Sequence, residues 1–188
     1  MVKLIAVCGF KRSGKDTIAD FLVRQYGYHK ISIADPLKDA CKVLFGFTHE
    51  QINGQSKDIP SEDWYNLTPR QILQFFGTEM MQFRLQELMP KCGRMFWIKR
   101  MCKEIDGRKL DKIVVPDVRF VHEYNELIKV YGVKNVEVIK VSREICGNSG
   151  DLHVSETEWQ KIEANYFVSN NDTVNALFEK IDNIMKKI

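Results

Sequence analysis

The stretch Gly9-Phe10-Lys11-Arg12-Ser13-Gly14-Lys15 constrains this chain more than any other. Its two glycines flank four residues, and a lysine follows at once. Before it lies an apolar, β-branched run, Lys3 to Cys8, and after it Thr17 to Tyr26 carries apolar residues at helical spacing through Ile18, Phe21 and Leu22. A strand that turns tightly into a helix aims backbone N–H groups and the positive end of the helix dipole at one point, which favours an anion. Glycine permits positive φ and lets phosphate oxygens approach the backbone. Lys15 adds a mobile positive charge suited to the β- and γ-phosphates of a nucleoside triphosphate. Lys11, Arg12, Ser13, Gly14, Lys15, Asp16 and Thr17 are therefore the expected ATP-binding residues. A Ser or Thr that touches Mg²⁺ usually follows the lysine. Here Asp16 follows, with Thr17 next to it, and either supplies a hard oxygen ligand.

The rest of the chain alternates strand and helix. Lys30 to Ile33 predicts a second strand, and Asp35-Pro36, with Asp at the N-cap and Pro at the first helical position, predicts a helix to about Phe45. Residues 46 to 67 are expected to be loops and short turns. Thr68-Pro69-Arg70-Gln71 is a capping-box start for a helix to about Leu88, and Met95 to Asp106 a further one, followed by Gly107. Strands are expected at Ile113 to Val115, Val136 to Val141 and Tyr166 to Val168. Helices are expected from about His122 to Tyr131, from a capping box at Ser155-x-x-Glu158, and through Val174, Leu177, Phe178, Ile181, Ile184 and Met185. The order predicts one α/β domain over 1–188. Its five-stranded parallel sheet is flanked by helices, with a helical insertion at about 36–106 and a Gly-containing loop at about 142–156 that could act as a lid. Ligands then belong at the carboxyl ends of the strands.

That placement selects the other candidates. Ile113-Val114-Val115-Pro116-Asp117 ends an apolar strand in a carboxylate, where a phosphoryl-transfer enzyme keeps its second metal-organising acid, so the metal set is Asp16, Thr17 and Asp117. Transfer between two anions also needs cations to shield them. Arg12, Lys38, Arg70, Arg119 and Arg143 are the candidates, and Arg143 opens the expected lid. Lys15, Arg12, Asp117 and Arg143 form the expected catalytic set. Gln74 and Glu79, beside Phe75 and Phe76, could read a base edge, although the spacing of Phe75, Phe76 and Trp97 suits core positions.

Composition closes off other classes. A net charge of +3 is too weak to imply nucleic-acid binding and is compatible with an anionic substrate. No apolar run is long enough to cross a bilayer, and no signal peptide is expected before the first strand. The five cysteines lack CxxC spacing, so reduced thiols and a cytoplasmic location are expected.

Gly9 to Leu22 (GFKRSGKDTIADFL), Asp35-Pro36-Leu37-Lys38, Thr68 to Glu79 (TPRQILQFFGTE), Asp117-Val118-Arg119-Phe120 and His153-x-Ser155-Glu156 resemble, in order, the viral and phage-type deoxynucleoside monophosphate kinases. An Asp after the loop lysine is at home in that family. The resemblance implies the P-loop nucleoside monophosphate kinase fold, Mg²⁺-ATP as donor and a deoxynucleoside 5′-monophosphate as acceptor. It implies acceptor-side roles for Asp35, Lys38, Arg70, Gln74, Glu79, Arg119, His153 and Glu156. It also implies a homodimer that feeds viral DNA synthesis in the host cytoplasm. The SGKD string is similar in animal-type phosphomevalonate kinase as well, which leaves a kinase for another small phosphate ester as a rival. A nucleotide-dependent switch and an inactive P-loop module are the alternatives from other classes.

Overall fold

The computed structural model describes residues 2–144 and 153–188. Five strands, β1 (Lys3–Cys8), β2 (His29–Lys30), β3 (Lys112–Val115), β4 (Val136–Ser142) and β5 (Tyr166–Ser169), form one parallel sheet in the order β2-β3-β1-β4-β5. The first strand is central. Lys3 registers with Lys112 on one side and Leu4 with Val136 on the other. Burial on both faces explains why β1 reads as an unbroken apolar run rather than an alternating one: Leu4 to Cys8 are all buried. Chain order reverses direction across β1, so the crevice at its carboxyl end lies at the switch point of the sheet.

The chain divides into two compact units. The first comprises residues 1–33 and 98–188, with the sheet, α1 (Lys15–Tyr26), α6 (Phe96–Arg108, mostly within it), α7 (Val121–Tyr131), α8 (Val154–Thr157) and α9 (Val174–Met185). Its core joins Ile5, Val7 and Ile139 of the sheet to Ile18 and Leu22 of α1 and Leu177 and Ile181 of α9. The Phe21 and Phe178 rings stack at 4.2 Å across these two helices. The second unit, 34–97, holds α2 (Asp35–Phe45), α3 (His49–Asn53), α4 (Pro69–Gln74), a π-helical run Phe75–Arg84 and α5 (Leu85–Leu88). It has its own core of Cys41, Phe47, Ile52, Ile72 and Leu73, edged by Phe45, Trp64 and Phe76.

Several local expectations are corrected. Ala34, not Asp35, is the N-cap of α2, so Asp35 falls in the first turn and pairs with Lys38. The 46–67 segment contains a true helical turn, α3. Its Thr48–Gln51 capping box, with Gln51 N–H donating to Thr48 Oγ1 at 3.3 Å and Thr48 N–H donating to Gln51 Oε1 at 2.9 Å, satisfies orphan amides as the Thr68–Gln71 box does for α4. Gly107 lies inside α6, and Lys109, at φ 53°, makes the left-handed turn that ends it. Ser155 does not cap α8. His153 does, its Nδ1 accepting the Ser155 N–H at 3.2 Å. Glu158 is spent elsewhere, accepting the Val121 N–H at the start of α7. The helix from Thr68 widens from α to π geometry after Gln74, where the Gly77 carbonyl accepts the Trp97 indole N–H at 2.9 Å. Trp97 is accordingly core, whereas Phe75 is substantially exposed.

Candidate active site

The Gly9–Lys15 loop leaves β1 and enters α1 without a side-chain cap. Gly14 at φ 106° is the N-cap, so the first amides of α1 are left to an anion rather than to a Ser or Asp. Gly14 is required there, since L side chains rarely adopt that φ and a Cβ would fall on the Asn170 amide. Arg12 sits at φ 63° and is exposed at the tip of the loop. Ser13 is fully buried, and its hydroxyl has no hydrogen-bond partner among the described residues.

Lys15 folds back over the loop, its ammonium donating to the Gly9 carbonyl at 2.9 Å and the Phe10 carbonyl at 2.7 Å. Its pKa is lowered to about 8, chiefly by burial and next by the Arg119 guanidinium, against the opposing pull of Glu156, Asp16 and Asp117. Those residues therefore stand within electrostatic reach of Lys15. Asp117, just past β3, is not the cap of α7. Its Oδ1 accepts the Ile33 N–H at 2.9 Å, which ties the end of β3 to the chain leaving the neighbouring strand β2.

Arg119 is held from two directions. Its guanidinium donates to the Ser155 carbonyl at 3.0 Å and forms an ion pair with Glu156, whose side chain is buried. Burial alone would lower the Arg119 pKa, but the Glu156 charge and hydrogen bond raise it. The Arg119 backbone is fixed by Glu123, a buried carboxylate that accepts the Arg119 and Phe120 N–H groups at 2.9 and 3.1 Å. Burial pushes the Glu123 pKa up to about 8. The Glu156 segment also meets the phosphate loop: Trp159 donates its indole N–H to the Glu156 carbonyl and packs edge-on against Phe10 at 5.0 Å.

Asp16 and Thr17 diverge. Asp16 is largely exposed and pairs with Lys30 at 2.8 Å, while Thr17 is half-buried in the first turn of α1. Among the described residues no cluster of three His, Cys, Asp or Glu side chains could hold a metal alone. The donors near Lys15 are a carboxylate and a hydroxyl, hard oxygens that suit Mg²⁺ completed by phosphate oxygens and water. Arg143 is exposed just past β4, while residues 145–152 of the expected lid, with Cys146, lie outside the described residues.

The remaining predicted residues belong to the second unit. Lys38 pairs with Asp35 at 3.1 Å, and Arg70, at the start of α4, pairs with Asp58 at 2.5 Å. Gln74 ends α4 and Glu79 lies in the π-helical run, both half-buried. Sequence reasoning missed three polar residues that shape the site: Glu123, Glu158 and Asn170. No local signal marks Asn170, whose carbonyl partner Ser13 lies 157 residues away.

Known proteins resemble this chain along nearly its whole length. The family model described as deoxynucleotide monophosphate kinase matches residues 3–66 and 46–181. A protein of Acanthamoeba polyphaga mimivirus, which carries the name deoxynucleotide monophosphate kinase provisionally, is 33% identical over 95% of this chain and 93% of its own length. The deoxynucleotide monophosphate kinase of Enterobacteria phage T4 is 24% identical over 98% of this chain and 99% of its own length. Among solved structures, shikimate kinase from Aquifex aeolicus superposes with a TM-score of 0.50 at 12% identity, covering 98% of this chain and 96% of that one, a likeness of fold alone. The family match runs from the first strand to the last helix and the mimivirus relative covers nearly the whole chain, so the chain belongs to the deoxynucleotide monophosphate kinase family.

Proposed function

We propose that this chain transfers the γ-phosphoryl group of ATP to deoxynucleoside 5′-monophosphates, giving the diphosphates that DNA synthesis draws on. The observation that carries the reading is the gathering of Lys15, Asp117, Arg119 and Glu156 at the mouth of the Gly9–Lys15 loop. Lys15 exchanges its two loop carbonyls for the β- and γ-phosphates. Thr17 and Asp117 would hold Mg²⁺, since Asp16 is engaged by Lys30, and the ion would supply positive charge to the triphosphate. Arg119, rigidly mounted by Glu156 and Glu123, presents a fixed cation toward the acceptor phosphate, and Arg12 from the phosphate loop and Arg143 from the chain just past β4 shield the migrating group. Lys38, Arg70, Gln74 and Glu79 belong to acceptor recognition, with Asp35 and His153 orienting their neighbours. The wider proposal is an enzyme of free nucleotides that makes no nucleic-acid contact, works in the cytoplasm and pairs as a homodimer.

A coupled assay with Mg²⁺-ATP and a panel of deoxynucleotides, ribonucleotides and phosphomevalonate tests it. Deoxynucleoside diphosphates are the expected products. Consumption of phosphomevalonate alone would transfer the enzyme to another acceptor, and ATP hydrolysis with no phosphorylated acceptor would make it a switch.

A further inference from the structure

The turn after β5 reaches back to the phosphate loop across almost the whole chain. Asn170 follows the last residue of β5 and is nearly buried. Its backbone N–H donates to the Ser142 carbonyl at 2.8 Å, which fixes the residue against the end of β4. Its side-chain Nδ2 donates to the Ser13 carbonyl at 2.8 Å, a bond between residues 157 apart. The same amide fills the space where a side chain on Gly14 would lie.

The Ser13 carbonyl is one end of the Ser13–Gly14 peptide. A trans peptide is planar, with its C=O and N–H pointing in opposite directions. Whatever fixes the Ser13 oxygen also fixes the aim of the Gly14 N–H, and that N–H is one of the amides a nucleotide phosphate takes up in a loop of this kind. Among the described residues no other side chain of the turn bonds the Ser13 carbonyl. Lys180, which braces the same turn from outside through the Ser169 carbonyl and Asp172, does not touch the loop. Among the described residues Asn171 bonds Glu144, its Oδ1 accepting the Glu144 N–H and its Nδ2 donating to the Glu144 carboxylate.

We propose that Asn170 is a positioning residue for the phosphoryl donor: its side-chain amide sets the Ser13–Gly14 peptide plane and thereby preorganises the phosphate-binding amides. The inference rests on the proposed kinase reading. Preorganisation of this kind is felt in donor binding, because an unaimed amide must be turned at the expense of nucleotide affinity. Acceptor affinity is set by other groups and should be indifferent.

The test is Asn170→Asp, which keeps the shape but faces the Ser13 carbonyl with an oxygen instead of a donor. Asn170→Ala is the second variant and Lys180→Met the control for the turn. For each, thermal melting, the KM for ATP and the KM for the deoxynucleotide are measured in the wild-type assay conditions. Both Asn170 variants should melt cooperatively and raise the ATP KM about tenfold or more, with Asp the worse, while the acceptor KM stays within about twofold. Lys180→Met should leave the ATP KM unchanged. An unchanged ATP KM in both Asn170 variants overturns the inference, as does an equal rise in Lys180→Met, which would mean that only the integrity of the turn matters. Loss of cooperative melting in both Asn170 variants would assign the residue to the fold and also overturn it. A wild-type protein that binds no ATP would instead remove the kinase reading itself.

Discussion

Lys15 should make ATP binding depend on pH in a range where the nucleotide itself no longer titrates. In the free protein its ammonium is desolvated and close to Arg119, and its pKa is lowered to about 8. Triphosphate oxygens in the loop would hold the proton on and return the pKa toward an ordinary lysine value. The sign follows: the group is cationic in the complex throughout, but in the free protein it loses its proton as pH rises through about 8. A group with that pKa is protonated in about nine molecules of ten near pH 7 and about one of ten near pH 9, so ATP affinity should fall about tenfold, or about 1.4 kcal/mol, over that interval. Titration calorimetry in two buffers of different ionisation enthalpy reads both quantities at once. The affinity should decline with pH, and each binding event should take up nearly one proton above pH 8. Lys15→Met should bind weakly with no such slope. A wild-type affinity flat from pH 7 to 9, or a Lys15→Met variant with the same slope, would refute the assignment of Lys15 to the phosphates.

Two further outcomes follow from the same edge of the sheet. Asp117→Asn keeps an oxygen to accept the Ile33 N–H, so the fold should survive while the charge is lost, and the Mg²⁺ concentration for half-maximal rate should rise about tenfold or more. An unchanged Mg²⁺ requirement would reduce Asp117 to a strap between strands. Glu123 has its pKa raised from an ordinary 4.5 to about 8 by burial, so the stability it contributes is full below 4.5 and is lost as pH rises through 8. Chemical denaturation at a series of pH values should show that decline, flattened in Glu123→Gln. A decline of equal slope in the variant would place its origin elsewhere.

The parts of this protein legible in its sequence are those that local physics decides. The glycines of the phosphate loop, the apolar run of β1 and the Thr68–Gln71 capping box each carry their reason within a few residues. What was hidden depends on partners far along the chain. Asp117 looks from sequence like a metal acid, and only the pairing of β2 with β3 brings the Ile33 amide to it. Ser155 and Glu158 have the spacing of a capping box, yet His153 reaches the amide first and Glu158 is drawn to Val121 by the approach of α7. The π-helical widening after Gln74 leaves no mark in apolar spacing, because tertiary contacts such as the Trp97 indole on Gly77 decide it. In each case a competing long-range partner overrode a reasonable local preference.

The central position of β1 governs the order in which this protein can be assembled. The strand that carries the phosphate loop is synthesised first, but its neighbours in the sheet are β3 and β4, more than a hundred residues downstream. During translation the N-terminal segment must wait without a partner while the residues 34–97, which have a core of their own, emerge and can condense. The loop-closure cost of the sheet comes due late and in large steps. The last of those steps, the bond from Asn170 to Ser13, awaits the arrival of β5. The nucleotide cradle is thus made before its neighbours in the sheet and shaped after them. A nascent chain stalled before β5 would lack the Asn170–Ser13 bond that braces the phosphate loop.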